Sequence, residues 1–534
     1  MPRARSLSRL ALFTLLVCVT RPAGAQSPEA PLAAPEPAPT LTAPAEEPEP
    51  EAAPAPVDAP ADVPEREPAP AAPPAPSADV AVPSAAGPAA VSLRGNRQSS
   101  STWTERATSA FGLLAFIGLA WLMSSDRRRI PYRIVAWGLA LQILFGAFAL
   151  KTRTGLALFS FINDGVVALL GYTDRGTSFL FGAYASDLWV GAAQGEAGTF
   201  LARAPLAIKV LPTIIFFSAL MAVLYHAGVM QRVVSGIAWV MQRTMRTSGS
   251  ETLSAAANIF VGQTEAPLVI RPYLEKMTSS ELMAVMVGGF ATVAGGVLAA
   301  YVGMLQPFFP DIAGHLIAAS VMSAPAALVI AKVMQPETQE SETAGGAKLS
   351  LERVDANLIE AAARGASEGL MLALNVAAML LAFVALVALA NALLALPVDA
   401  YNHLAGATVT PITMEQILGV LFWPIAFLMG VDPSECGAVA GLLGEKIVLN
   451  EFVSYMHLAE MLDAAPESLS QRSVVLVTYA LCGFANFSSI AIQVGGIGAI
   501  APGRRADVAR LGLRAMWGGA LAACMTASVA GILI

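Results

Sequence analysis

The 534-residue sequence has little charge, few cysteines and few histidines, and each shortage excludes a class of protein. Charged residues make up 13% of the chain, whereas 55% of its residues are hydrophobic, so the solvated surface of an ordinary soluble domain is missing. No basic stretch is interleaved with aromatic residues, which argues against a nucleic-acid partner. The four cysteines and four histidines lack the spacing of a metal site.

Long apolar runs stand in place of the missing charge. Several exceed the roughly 20 residues that an α-helix needs to cross a bilayer, so the sequence predicts an all-α polytopic membrane protein. We predict eight transmembrane helices, over residues 107–123, 134–150, 212–227, 282–304, 312–333, 370–396, 474–500 and a last one that ends at Ile534.

The first hundred residues differ in composition from the rest. Three arginines, a short apolar stretch and Ala23-Gly-Ala25 are typical of a secretory signal peptide over residues 1–25; an uncleaved first transmembrane helix is the alternative. Residues 26–100 are rich in Pro, Ala and Glu, and such a segment buries too little apolar surface to offset its ordering entropy. We predict a disordered periplasmic tail there.

Arginines set the predicted orientation. Positive loops stay in the cytoplasm, and arginines cluster after the first apolar run, at residues 126–129, and before the last, at residues 503–505. We therefore predict a multi-pass protein of the bacterial inner membrane with both termini in the periplasm.

The apolar region divides into four predicted parts. They are N-terminal scaffold helices over 101–209 (with 156–200 as an interfacial helix and external loop), a first transport repeat over 210–335, a cytoplasmic linker over 336–366 and a second repeat over 367–534.

Two polar stretches interrupt the apolar runs, and we predict a re-entrant helical hairpin at each. In the first, Gln263-Thr-Glu265 is followed by Pro267, which disfavours helix, so the arriving helix should break near Gly262. The second surrounds Asn450-Glu451. Because an acid at bilayer depth costs about 2.5–3.5 kcal/mol, both glutamates are predicted site residues.

A short internal repeat follows the hairpins. Gly289-Phe-Ala-Thr292 comes after the first hairpin and Gly483-Phe-Ala-Asn486 after the second. With the first hairpin entering from the cytoplasm and the second from outside, the halves would form an inverted repeat, and transporters bind substrate and ion at the interface of such repeats.

The polar residues near the hairpins suit an uncharged ligand rich in hydroxyl groups. Such a ligand needs donors and acceptors at short range and an apolar face for a ring. Candidates are Gln263, Thr264, Glu265, Glu451, Asn486 and Ser489. Arg271 is the only arginine near the predicted hairpin tips, so a phosphorylated substrate has no obvious cationic partner.

Four segments in order resemble the concentrative nucleoside transporters: 258–273, 288–296, 444–452 and 482–490. The resemblance implies that the first-hairpin residues Gln263, Thr264 and Glu265 bind the nucleobase. It implies that Glu451, Asn486 and Ser489 bind the ribose, while Val297 and Phe484 line the base and sugar. It also implies a homotrimer in membrane lipid.

The resemblance further implies a sodium site. Its ligands would be the Asn258 side chain, the Val261 carbonyl, the Thr292 hydroxyl and the Val293 carbonyl, and sodium prefers hard oxygen ligands of this kind. Coupling to H⁺ through Glu265 or Glu451 is the alternative, because a carboxylate in a low-dielectric site can hold a proton near neutral pH.

These observations predict a sodium-coupled symporter that imports nucleosides by alternating access and is not an enzyme. A proton-coupled symporter is the first alternative. An intramembrane hydrolase built on Glu265 and Glu451 is another, although no nucleophile has a paired base. A third is a non-transporting receptor that binds nucleosides and recruits partners through its tail.

Overall fold

The computed structural model describes residues 102–185, 188–192, 199–203, 206–344 and 355–534. The predicted signal peptide and the whole of the predicted tail lie outside the described residues. Within the described ranges the chain is almost entirely helical, with one short antiparallel pair of strands.

The elements before the first polar hairpin are six helices and the two strands. They are α1 (Trp103–Leu122), α2 (Tyr132–Lys151), α3 (Arg153–Phe181), β1 (Leu188–Ala192), β2 (Thr199–Arg203), α4 (Leu206–Lys209), α5 (Leu211–His226) and α6 (Val229–Met245).

The remaining elements include both short half-helices and long helices. They are α7 (Gly249–Ala257), a 3₁₀ turn (Ala266–Ile270), α8 (Arg271–Leu274), α9 (Ser279–Ala291), α10 (Gly295–Leu305), α11 (Ile312–Met334), α12 (Leu358–Ala405), α13 (Met414–Leu428), α14 (Cys436–Val448), α15 (Glu451–Ala464), α16 (Gln471–Leu481), α17 (Phe487–Ile500) and α18 (Arg505–Leu533). The 48-residue α12 begins inside the segment predicted as a linker.

Seven described helical segments are long and apolar enough to cross a membrane, which confirms the all-α polytopic class. One of them is α3, so most of the segment predicted as interfacial helix and loop is a single 29-residue helix. Its polar residues Asp164 and Arg175 lie exposed on the helix surface and do not interrupt it. The count of eight spans stays a prediction.

Two predicted continuous spans are broken in the middle. Residues 282–304 form α9 and α10, separated at residues 292–294, and residues 474–500 form α16 and α17, separated at residues 482–486. In both pairs the second half-helix begins sixteen residues after the first one begins. Equal spacing of the half-helices is structural support for a repeat.

The matching tetrapeptides do not occupy equivalent places in the two pairs. Gly289-Phe-Ala-Thr292 closes α9, whereas Gly483-Phe-Ala-Asn486 lies wholly within the break between α16 and α17. When the two pairs are aligned by the first residues of their half-helices, the two tetrapeptides are therefore offset by two residues.

Both predicted hairpins contain interrupted helices. The first helix of the first hairpin ends at Ala257, five residues before the predicted break, and the chain turns until the 3₁₀ segment begins at Ala266. A buried ion pair closes the base of this hairpin, where the Lys332 ammonium lies 2.6 Å from the Glu251 carboxylate. The second hairpin turns at residues 449–450, next to Glu451 as predicted.

The two helix breaks approach each other at Gly483. Its φ of 147° favours glycine, and a Cβ there would lie 2.7 Å from the Phe290 carbonyl oxygen. We predict that Gly483→Ala lowers the free energy of unfolding by roughly 1–3 kcal/mol, because the strained φ and the overpacking act together. Thermal unfolding of the detergent-solubilised protein measures the effect.

Gly303→Ala is the matched control, since a Cβ at Gly303 in α10 meets nothing within 4 Å. Alanine is the better helix former, so this variant should unfold at or above the wild-type temperature. Equal melting temperatures for the two variants would show that the breaks are not in close contact at Gly483.

Candidate substrate and cation sites

Glu451 lies buried at the tip of the second hairpin. Asn450 caps α15 by accepting a hydrogen bond from the Val453 amide at 2.9 Å, which makes Glu451 the first residue of that helix. The Glu451 side chain is 4% exposed, and its oxygens accept from the Tyr301 hydroxyl and the Asn486 amide, each at 3.0 Å. A helix N-terminus favours a negative charge at this place.

Asn486 connects that carboxylate to the second broken helix. It is the N-cap of α17, and its Oδ1 accepts from the Ser489 backbone amide at 2.8 Å. Because Oδ1 is occupied by this cap, the amide nitrogen points to Glu451. The cap therefore fixes the orientation of the group that holds the carboxylate.

Gln263 brings the first hairpin to the same helix. Its Nε2 donates to the Ser489 hydroxyl at 3.1 Å, and its Oε1 accepts from Gln493 Nε2 at 3.1 Å. Contacts thus run without interruption from Gln263 through Ser489 and Asn486 to Glu451. The structure brings together four of the predicted site residues, from two hairpins and a broken helix.

Glu265 and Thr264 lie outside this chain of contacts. Glu265 is exposed, and its carboxylate accepts from the Gly262 amide of its own turn at 3.0 Å. It interacts electrostatically with Arg364 and Glu368 of α12. Thr264 packs against α17. Its methyl group lies so close to Gly496 that a Cβ there would be 2.7 Å away.

The two apolar candidates flank the polar chain. Val297 is buried on α10 one turn before Tyr301, so it shares the helix face that meets Glu451. Phe484 is half-buried in the break between α16 and α17. Its backbone carbonyl accepts a hydrogen bond from the backbone N–H of Asn486 at 2.9 Å.

Sequence reasoning missed Tyr301 and Gln493. Tyr301 donates to Glu451, and Gln493 joins Gln263 to the Met286 carbonyl, 3.1 Å away. Gln493 carried a usable signal, because it is an isolated polar residue in an apolar helix, one turn after Ser489. Tyr301 carried none, since tyrosine is common in apolar helices.

The predicted cation ligands also converge. Asn258 is 1% exposed, and neither Oδ1 nor Nδ2 has a hydrogen-bond partner, which is rare for a buried amide. A Cβ on Gly288 would lie 3.1 Å from Asn258 Nδ2, and the Gly288 carbonyl accepts from the Thr292 hydroxyl at 2.9 Å. Asn258 and Thr292 therefore meet at the same turn of α9.

A backbone hydrogen bond draws the two carbonyl ligands together. The Gly295 amide donates to the Phe260 carbonyl at 3.0 Å, which joins the turn that holds Val261 to the break that holds Val293. This place lies at the C-terminal ends of α7 and α9, where helix dipoles favour a cation. The unpartnered Asn258 oxygen and the hydroxyl and carbonyl groups around it fit sodium.

Comparison with known families matches most of the described chain. Residues 111–184 match a model described as the Na⁺-dependent nucleoside transporter N-terminus, and residues 315–531 match the corresponding C-terminus. Residues 207–308 match a model described as nucleoside recognition.

Several full-length relatives are similar to this chain. An uncharacterised transporter of Haemophilus influenzae is 43% identical over 431 residues, which is 80% of this chain and 97% of the relative. The sodium/nucleoside cotransporter 1 of Mus musculus is 43% identical over 441 residues, or 80% of this chain. The match spans 64% of the mouse protein, and 60% of the related solute carrier family 28 member 3 of Eptatretus stoutii.

Solved structures of CNTnw are similar over the same region. The inward-facing substrate-bound state is 41% identical with a TM-score of 0.70, covering 80% of this chain and 97% of CNTnw. An outward-facing variant is 40% identical with a TM-score of 0.70 and the same coverage. An intermediate state is 42% identical with a TM-score of 0.72, covering 80% and 98%.

Asn258→Leu should abolish stabilisation by sodium. A ligand that binds only the folded state raises the melting temperature, so NaCl should stabilise the wild type relative to choline chloride, and the variant should show no such difference. Thermal unfolding in detergent measures it.

Asn163→Leu is the matched control. Asn163 in α3 is also buried with an unpartnered Oδ1, but it is not among the predicted ligands, so its variant should keep the sodium response. A sodium-specific shift that persists in Asn258→Leu would contradict the site.

Proposed function

The chain belongs to the concentrative nucleoside transporter family, and from this premise we propose that it is a sodium-coupled symporter that imports nucleosides by alternating access. The family and its members are transporters, not enzymes. The observation that carries the proposal is the chain of contacts from Gln263 to Glu451, which joins both hairpin tips.

This chain of contacts suits a ribose and base. Glu451 supplies acceptors for hydroxyl groups, whereas Asn486, Ser489 and Gln263 supply donors and acceptors beside them. A nucleoside would exchange these internal hydrogen bonds for its own. A ligand without the hydroxyls would leave buried polar groups unpaired, at a cost of about 1–3 kcal/mol each, which gives the site its selectivity.

The positions of the proposed ligands support sodium coupling. Asn258 and Val261 begin the turn that continues to Gln263 and Glu265, and Thr292 and Val293 form the facing break. A cation bound between them would fix that turn in the conformation that presents Gln263 to substrate. Binding of ion and nucleoside would then be mutually favourable, as linkage requires.

The remaining parts of the proposal concern placement and assembly. Exposed apolar side chains along α12, among them Leu381, Leu389 and Leu396, supply surface for lipid or for neighbouring protomers. We place the protein in the bacterial inner membrane as a homotrimer with periplasmic termini. CNTnw structures in outward-facing, intermediate and inward-facing states support the alternating-access part.

Radiolabelled uridine and adenosine uptake into proteoliposomes tests the function. We expect accumulation with an inward sodium gradient, and none with a proton gradient in choline. Accumulation with the proton gradient alone would favour the proton-coupled symporter. Binding without uptake would favour the receptor, and cleavage of nucleoside in detergent would favour the hydrolase.

Glu451→Gln should reduce that uptake about 10- to 100-fold, because hydrogen bonds to a charged group contribute about 1.5–3 kcal/mol. Glu435→Gln is the control, since Glu435 bonds the Ser470 backbone and hydroxyl at 2.9 Å, away from the contacts to Glu451. Its uptake should stay near wild type. Unimpaired transport by folded Glu451→Gln would remove Glu451 from the substrate site.

A further inference from the structure

Lys446 is a buried cation outside the proposed substrate and sodium sites. It lies in the last turn of α14 and is 2% exposed. Its ammonium donates to the Ala480 carbonyl at 2.8 Å. In the described part of the chain, no carboxylate oxygen lies within 4.0 Å of that nitrogen.

Lys332, the other lysine buried in the described part of the chain, has a different environment. Lys332 lies 2.6 Å from the Glu251 carboxylate and 3.3 Å from that of Glu337, which is how proteins normally offset the desolvation of a buried charge. Lys446 has a backbone carbonyl instead. Its ammonium is therefore held by the dipole of a backbone carbonyl and not by a carboxylate.

The half-helix spacing identifies the place that Lys446 fills. When α9 and α10 are aligned with α16 and α17 by their first residues, Ala480 corresponds to Gly288. The Gly288 turn is the one against which Asn258 lies and to which Thr292 bonds. The Lys446 ammonium therefore lies at a position of the second repeat that corresponds to the Gly288 turn. In the first repeat, that turn is where the proposed sodium ligands lie.

The helix ends agree with this correspondence. In the first repeat the proposed sodium ligands lie at the C-terminal ends of α7 and α9. In the second, Lys446 projects from the C-terminal end of α14 to that of α16. At both places the C-terminal ends of two half-helices meet, and the carbonyls there have no partner within their own helix. These ends are negative, so both places favour a cation.

We propose that Lys446 is a tethered cation, which fills in the second repeat the place that the coupling ion takes in the first. The comparison of the two places rests on the proposed sodium site. Lys446 does not contact the proposed substrate residues; it is a positioning residue. Its ammonium joins α14, which leads to Glu451, to α16.

Two consequences follow for transport. The second repeat needs no exchangeable ion at this place, because its cation is covalently attached. Removing the ammonium leaves the carbonyl end of α16 without its cation and loosens the packing of α14 against α16 behind Glu451, so substrate binding should weaken even though no substrate contact is lost.

Lys446→Ala with chemical complementation tests the proposal. Uptake of uridine on a sodium gradient should fall at least about tenfold, since a hydrogen bond to a charged group is lost. Propylammonium chloride, present from purification onward, should restore uptake. Its neutral counterpart 1-propanol should not, and neither should affect the wild type.

Lys446→Arg and Lys446→Met provide the matched pair. The arginine variant keeps a cation and should retain more uptake than the methionine variant, although methionine is closer in volume and keeps the packing. Melting temperatures separate misfolding from loss of function, and where Lys446→Ala is unfolded, recovery of its melting temperature by propylammonium is the readout.

Three results would overturn the proposal: near wild-type uptake by Lys446→Met, equal restoration by the amine and the alcohol, or restoration of neither fold nor uptake by the amine. If the wild type does not respond to sodium in the same vesicles, the proposed function fails instead. The wild-type measurement thus separates the two failures.

Discussion

The hydrogen-bonded chain from Gln263 through Ser489 and Asn486 to Glu451 holds the interrupted helices of this protein together. It joins the first hairpin to the second hairpin and the broken helix that follows it, and Gln263 and Ser489 lie 226 positions apart. Irregular backbone at membrane depth is tolerated only where it is buried in protein or lines a cavity. The ends of the interrupted helices are buried against one another. The polar groups that bond these ends together are the ones available to a ligand.

Charge is sorted by helix polarity throughout this region. Glu451 begins α15 and bonds the N-cap of α17, so the carboxylate lies at two positive helix ends. The proposed sodium ligands and Lys446 lie at C-terminal ends, which are negative. Breaking the helices creates both kinds of end in the membrane interior, and the sequence supplies a matching group at each.

The turns near Gln263 and Asn450, and the polar residues that meet there, could be predicted from the sequence because they depend on local patterns. An acid next to Asn450, or a Gln-Thr-Glu run before a proline, departs visibly from its apolar surroundings. The breaks within residues 282–304 and 474–500 were missed, because hydropathy averages over a run and does not register a change of backbone direction. The tetrapeptides suggested a repeat whose register differs by two residues from that of the half-helices.

Partners distant in sequence explain what else was missed. Tyr301 and Gln493 gain their roles from Glu451 and Gln263, which lie 150 and 230 positions away. Lys446 was passed over because its partner is a backbone carbonyl, which no side-chain pattern reveals. Local chemistry thus identified the acids, whereas the groups that orient them became visible only with the fold.

A cryo-EM map of the protein with sodium and uridine tests the central claim most directly. The account predicts uridine between the hairpin tips, with its ribose hydroxyls on Glu451 and Asn486 and its base beside Gln263. Uridine bound elsewhere, for instance in the roughly 380 Å³ cavity lined by Asn163 and His315, with the contacts from Gln263 to Glu451 unchanged, would contradict it.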